Sequence, residues 1–230
     1  MRRGAALLAP VLLMRGASAT QADDAWTSRF SVEAGDLTAS GRNLYFVLEP
    51  GYQLVLEDGR TRLIISVLAE TRQVDGVETR VVEERETSGG SLVEVSRNFY
   101  ALSKRTNAVF YFGEDVDVYK NGKVVGHEGG WIAGSGGAHF GLMMPGLPLL
   151  GARYYEEYAP GRAMDRARIV SVSARVTTPG GSFANVVDVE ETTPLEPNQR
   201  EHKRYAAGVG LVQDGALKLV RYGAAGAPSR

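Results

Sequence analysis

The sequence predicts an all-β protein: a mainly antiparallel meander of about 11 strands, in two related halves that form a sandwich or a partly open barrel. Three observations predict it. Turn dipeptides recur at short intervals, the stretches between them alternate between apolar and polar residues, and two segments far apart in the chain match one another. Glycine, 28 of 230 residues, is well above the usual share of about 7%. Without a repeat period, that excess means many tight turns.

The turns come first, because they bound the strands. From Tyr52 onward they fall at Asp58-Gly59, Asp75-Gly76, Gly89-Gly90, Thr106-Asn107 and Asn121-Gly122. Asp-Gly and Asn-Gly supply the positive φ angles that two-residue hairpins require. Between them Leu63, Ile65 and Val67 alternate with Ile64, Ser66 and Leu68, and Val77, Thr79 and Val81 alternate with Glu78, Arg80 and Val82. Such a period of two predicts half-buried antiparallel strands, six of them in sequence order, ending near Val125. Gly126–Gly151, with nine glycines and two prolines, reads as a long crossing loop. Strands resume at Arg153–Tyr158 and recur around 168–176, 183–191, 202–212 and 216–222, with hairpins at Gly180-Gly181 and Asp214-Gly215.

A shift of 105 residues lays Arg62–Ala101 on Ala167–Ala206 with 11 of 40 positions identical and no gap. Ser66-Val67 then matches Ser171-Val172, Gly76 matches Gly181, and Val81-Val82 matches Val186-Val187. A duplicated strand–hairpin–strand unit follows, whose copies pack on each other because neither buries its apolar face alone. Gly76 and Gly181 would occupy equivalent turns, and each valine pair would have one inward and one outward member. The division expected is a signal peptide over 1–19, a linker over 20–43, a single β-domain over 44–223 and a flexible tail over 224–230. Within the domain, halves 44–125 and 152–223 are joined by the Gly-rich loop 126–151.

Compartment is read from the N-terminus. Arg2-Arg3, the apolar stretch Ala5–Met14 and then Ala17-Ser18-Ala19 have the order of a cleaved secretory signal. The apolar stretch is too short to span a bilayer comfortably, and no later one reaches the length of a span, so no transmembrane segment is expected. The destination is the periplasm or the exterior. With no cysteine in the chain, disulfides, thiolate metal sites and thiol catalysis are excluded. The 26 basic and 27 acidic residues are interspersed and give a net charge of −1, which argues against nucleic acid as a partner.

The motifs that suggest chemistry fail on spacing. His127-Glu128 in GHEGGWIAGSGGAH resembles part of a zinc-protease helix, but Trp131 stands where the second histidine belongs, and Gly129-Gly130 oppose a helix. Gly134-Ser135-Gly136-Gly137 lacks the lysine of a phosphate loop, and Gly208-Val209-Gly210 lacks the third glycine of a dinucleotide site. Asp115 and Asp117 miss the remaining EF-hand ligands. No metal site and no cofactor are expected. Acid–base candidates are Glu128, Glu156, Glu157, Asp165, Glu190 and Glu191. Neighbours on a regular strand point to opposite faces, so Glu156-Glu157 and Glu190-Glu191 are not expected to act as pairs. Aromatic and methionine side chains around the crossing loop, namely Trp131, Phe140, Met143, Met144, Tyr154, Tyr155 and Tyr158, suit a ligand groove and equally the core beneath a long loop.

The blocks YFGEDVDVYKNGKVVGHEGGW (Tyr111–Trp131), GLMMPGLPLLGARYYEEYAPGRAMDRA (Gly141–Ala167), ETTPLEP (Glu191–Pro197) and KRYAAGVGLVQDG (Lys203–Gly215) resemble a family of uncharacterised bacterial exported β-rich proteins. The resemblance implies a single β-rich extracytoplasmic domain and carries no activity. Similar chains often have glutamine where Glu156 stands, which weighs against a catalytic part for it.

The function expected is non-catalytic binding of a small apolar or amphipathic ligand, or of an envelope protein. Trp131, Phe140, Met143, Tyr154, Tyr155 and Tyr158 are the ligand-binding candidates. The alternatives are a hydrolase of envelope glycans or esters working through carboxylates such as Glu128 and Asp165, and a structural surface protein.

Overall fold

The computed structural model describes residues 26–226. The expected signal peptide lies outside the described residues. In chain order the strands are β1 (Leu37–Thr38), β2 (Arg42–Asn43), β3 (Phe46–Val47), β4 (Tyr52–Glu57), β5 (Thr61–Val74), β6 (Val77–Ser88), β7 (Ser91–Ser103), β8 (Val109–Lys120) and β9 (Lys123–Gly126). They continue with β10 (Trp131–Ile132), β11 (His139–Met144), β12 (Arg153–Tyr155), β13 (Glu157–Tyr158), β14 (Arg166–Thr178), β15 (Gly181–Thr193), β16 (Glu196–Ala206), β17 (Gly210–Asp214) and β18 (Leu217–Ala224). Among the described residues the protein is all-β, with 18 strands instead of about 11. Most of the excess is short pieces of two to four residues that carry no readable alternation. Among the described residues no helix is long and apolar enough to cross a membrane.

One antiparallel sheet runs in the order β12-β14-β15-β16-β17-β18-β4-β5-β6-β7-β8-β11-β13. Its two ends, β12 and β13, are consecutive in the chain and separated only by Glu156. The segment 153–158 therefore pairs with β14 on one side and β11 on the other, and it nearly closes the sheet into a barrel. Closure leaves few open edges to pair with another chain. It also needs a close approach: a Cβ on Gly141 of β11 would lie 2.1 Å from the Glu156 carbonyl oxygen.

The turns behave as their sequences require. Asp75 and Gly76 have φ of 48° and 76°, and Asn121 and Gly122 have 54° and 73°, the two consecutive positive angles of a hairpin turn matched to strand twist. The crossing loop is a correction: β10 and β11 lie within 126–151 and both pair with β8. The stretch 202–212 is another, being split by a turn between β16 and β17. Of the expected linker 20–43, the described part is packed on the barrel. Phe30 sits against Phe110, β1 pairs with β7, and Thr27 bridges Tyr154.

Under the 105-residue shift, β6 and β7 overlie β15 and β16, and inward residues match: Val82, Glu84 and Glu86 fall on Val187, Val189 and Glu191. The first strand does not follow. Val67 pairs with Val82 and faces inward, whereas Val172 is 37% exposed. The register breaks along β14 explain it: Ile169 pairs with Val189 where Ile65 pairs with Glu84, a displacement of one residue under the shift. A one-residue slip exchanges the faces of a strand. Pro179-Gly180 takes the place of Asp75-Gly76, and Gly181 is already the first residue of β15, so Gly76 and Gly181 are not equivalent. Nor is there an exposed member in either valine pair, since Val81, Val82, Val186 and Val187 are all within 2% of full burial.

Candidate functional site

The interior of the barrel is unusual in its charge. Alternation on β6 places Val82 and Glu84 on the inner face, on β7 Ser96, Asn98 and Tyr100, and on β16 Lys203 and Tyr205. An apolar chamber of about 70 Å³ is lined by Phe46, Leu54, Ile65, Val67, Val82 and Leu211, and its polar wall is Glu84, Lys203 and Asp214. The segment 42–48 plugs this end. Leu48 is fully buried, Phe46 meets Tyr100 edge-on at 5.0 Å, and the Asn43 side-chain amide donates to the carbonyls of Asn107 and Pro145.

Toward the closing segment lies a second, open cleft of about 330 Å³. Its walls carry the carboxylates of Glu114, Glu157, Asp165, Glu191, Glu196 and Glu201, against one guanidinium, that of Arg162. Lys203 Nζ, which lines the first chamber, lies 2.9 Å from Glu191 Oε2, which lines the second. This ion pair links the wall of one space to the wall of the other.

The closing segment is locally irregular where it carries Glu156 and Glu157. The amides of Glu156 and Glu157 both donate to the Asp165 carbonyl, at 2.9 and 3.2 Å. Two residues against one is the pairing of a β-bulge, which re-aims side chains that strict alternation would separate. The rings of Tyr155 and Tyr158, three residues apart, are in contact at 5.2 Å, as an interrupted alternation allows. Glu156 and Glu157 thereby join one group of charges with Glu191, Asp165 and Lys203. Glu157 lines the acidic cleft and Glu156 does not.

Burial governs the titration of the group. It pushes Glu84 up to about 7, with the Lys203 charge opposing. It also pushes Glu114 up to about 7, reinforced by the charge of Glu84 and opposed by a hydrogen bond from Tyr111. Glu156 and Glu157 are held well above the usual carboxylate range by burial first, then by Glu191 and Glu114 respectively. Glu191 and Asp165 are raised by burial, with Lys203 pulling the other way. Lys203 itself stays well above its ordinary value, because Glu191 and Asp214 outweigh its desolvation. Two carboxylate atoms in this region, Glu156 Oε1 and Glu191 Oε1, are buried with no hydrogen-bond partner.

The sequence-predicted ligand residues are dispersed. Trp131 is buried and meets Tyr111 edge-on at 5.4 Å, beside the clefts at the mouth. Tyr154 is buried, with its hydroxyl unpaired and the Glu156 charge close by. Phe140 stacks on Phe112 at 5.0 Å, Met143 is core, and Tyr158 stacks on His139 at 4.1 Å. They do not form one groove. Of the two alternative carboxylates, Asp165 lies in the acidic cleft, while Glu128 is exposed on the turn before β10 with its carboxylate beside Gly126. They do not face one another across that cleft. Sequence reasoning missed Glu84, Glu114 and Lys203. The signal available was an acid standing at an inward position of an alternating strand, as in Val82-Glu83-Glu84.

Fold and site define a nearly closed antiparallel barrel with an acidic interior. No protein-family model, curated protein or solved structure matches the chain.

Proposed function

We propose that the barrel is an exported binding domain, which takes a small amphipathic molecule without transforming it. The observation that carries this reading is an apolar chamber and a polar cleft whose walls are linked by the Lys203–Glu191 pair. A site with apolar walls and a few convergent polar groups is the general form of a small-molecule pocket. The chamber's volume, about 70 Å³, sets the size. A cavity of about 150 Å³ holds a benzene ring, so the apolar part of the ligand is a short chain rather than a lipid tail. Export rests on the Arg2-Arg3, apolar, Ala-Ser-Ala order, and kinship with the exported family rests on its four blocks.

A hydrolase is the second reading, favoured by the carboxyls of Glu84 and Glu114 at about 7. Acid–base hydrolysis by two carboxyls needs one held protonated and one held ionised. Here burial raises Glu114, Glu157, Asp165 and Glu191 alike, and none of the four is held low. Binding is therefore the better reading.

The test is a thermal-shift panel of short-chain alcohols, acids and amines, repeated on Ile65→Phe, which fills the chamber. Members of the panel should stabilise the native protein and lose that effect in the variant. A panel without effect overturns the reading. So does a panel whose effect persists unchanged in a folded Ile65→Phe protein.

A further inference from the structure

We infer that the polar end of this ligand is an organic cation, an ammonium or guanidinium group seated in the cleft against Glu157, Asp165 and Glu191. This rests on the binding reading above and deepens it by assigning the ligand's charge.

Clustered acids alone would not carry the point, because carboxylates at a protein surface are commonly solvated. Two further observations point to a ligand. Glu191 is 7% exposed and lines the cleft, and while its Oε2 meets Lys203, its Oε1 accepts no hydrogen bond. Thr192 Oγ1, on the wall of the same cleft, is buried and equally unpaired. Buried polar atoms are nearly always paired, so two orphans on one wall mark a place where hydrogen-bonding capacity is held open. An ammonium has three donors and a guanidinium five, and neither has an acceptor. They match a wall that offers acceptors.

Charge gives the same answer. Six carboxylates line the cleft against Arg162 alone, and Arg162 spends one donor on the Gly130 carbonyl at 3.3 Å. An anionic head group would push these raised carboxyls further toward the protonated form, whereas a cation favours their ionised form. The spacing decides which kind of cation. Among the described residues no three Asp, Glu or His side chains stand close enough together to hold a metal ion. Acids spread over β8, β13 and β15 and the loop before β14 instead surround a volume of about 330 Å³, which accommodates a multi-atom group and its waters. Charge-assisted hydrogen bonds to several separated carboxylates would then orient it. The short apolar remainder would point past the Lys203–Glu191 pair into the first chamber.

The test uses n-butylamine and butylguanidine, with butanol, butyrate and calcium chloride as comparisons, on the full mature protein. Binding is followed by NMR chemical-shift titration of the backbone amides. The expected result is that the amine and guanidine shift the amides of 156–158 and 191–193 at lower concentration than the others. Glu157→Gln, which replaces the carboxyl by a group that a cation cannot ionise and keeps the bulk, should weaken them about tenfold and leave the butanol response unchanged. Thr192→Val should weaken the amine to a smaller degree. If butanol or butyrate binds as tightly as the amine, the inference fails while the binding reading stands. Should calcium shift the same amides more strongly, the organic cation is wrong. If Glu157→Gln is folded and binds the amine normally, the cleft is not its seat. If none of the probes binds, both readings fall.

Discussion

Lys203 Nζ and Glu191 Oε2 are 2.9 Å apart and link the wall of the apolar chamber to that of the acidic cleft. Their side chains are only 27% and 8% exposed. Lys203 is the single base in the chamber wall, and the charges acting on it are Glu191, Asp214, Tyr205 and Glu156. Removing it should leave buried carboxyls uncompensated. Lys203→Met is expected to cost about 3 kcal/mol, measured by urea denaturation at neutral pH. Part of the cost is avoided when Glu191 takes up a proton, so the loss should be smaller at acid pH than at alkaline pH. The double variant Lys203→Met/Glu191→Leu should recover part of it, because the Glu191 carboxyl is then gone while Glu84 and Asp214 still lack the lysine.

Stability should depend on pH in the direction opposite to ordinary acid denaturation. Glu84 and Glu114 move from 4.5 to about 7 on folding. A carboxyl whose folded value lies above its unfolded value binds its proton more tightly when folded. Its contribution is therefore full below about 4.5 and is lost as pH rises through about 7. Glu156 and Glu157 act in the same direction. Glu49 and Asp58 are shifted down, but both are on the surface, where water screens the effect. The melting temperature is expected to fall between about pH 5 and about pH 8, and Glu84→Gln should flatten the slope. A melting temperature that rises across this range would show that these carboxyls are ionised without penalty.

The valine pairs give a packing test. Val81 is 2% exposed and Val82 1%, while Val186 and Val187 are both fully buried. Truncation to alanine should cost about 1–3 kcal/mol at each of the four positions, read by chemical denaturation. A value near zero at Val81 or Val186 would mean that the outer face of β6 or β15 is open to solvent.

Closure of the barrel depends on a missing side chain. A Cβ at position 141 would sit 2.1 Å from the Glu156 carbonyl oxygen and 2.8 Å from that of Tyr155. Both atoms are backbone, so neither can rotate away. Gly141→Ala should displace the segment 153–158 from β11, cost about 1–3 kcal/mol, and speed hydrogen exchange at the amides of 156–158. Unchanged exchange there would mean that the segment is held by β14 alone.

Much of the barrel was legible in the sequence because turn chemistry is local. Asp75-Gly76 and Asn121-Gly122 fix positive φ angles whatever else the chain does, and alternation between such turns gives the strands. The closing segment was not legible as such. Arg153–Tyr158 reads as one strand, yet its two halves pair with different partners, and partners are set by the whole topology. The 105-residue comparison shows the same limit. It aligned β6 with β15 face to face, but the register breaks along β14 leave it displaced by one residue relative to β5 at Ile169, and identity counts do not see faces. The acidic interior was hidden for a related reason. Glu84, Glu114 and Lys203 look like any charged residue on a half-exposed strand until closure decides which face is inside. Asp165 was found, and Glu128 with it, from charge alone; only one of the two lies in the cleft.

Glu156 separates the demands of folding from those of binding. The residue is 4% exposed, Oε1 has no hydrogen-bond partner, and burial raises its carboxyl well above the usual range. A buried group of this kind lowers stability, and an apolar residue of similar volume removes the penalty. Glu156→Leu is therefore expected to stabilise the fold by about 1 kcal/mol or more. The gain should be larger at about pH 8 than at about pH 5, because desolvation of the ionised form is what the substitution removes. The backbone bulge is made by the amides of 156 and 157 on the Asp165 carbonyl, so it should survive the change. Glu156 itself does not line the acidic cleft, so the same variant should keep its response to n-butylamine. A calorimetric melt at the two pH values decides it. A lower melting temperature at both would mean that the Glu156 carboxyl is held by a partner and contributes to the fold, and the orphan atom would then be no mark of a binding site.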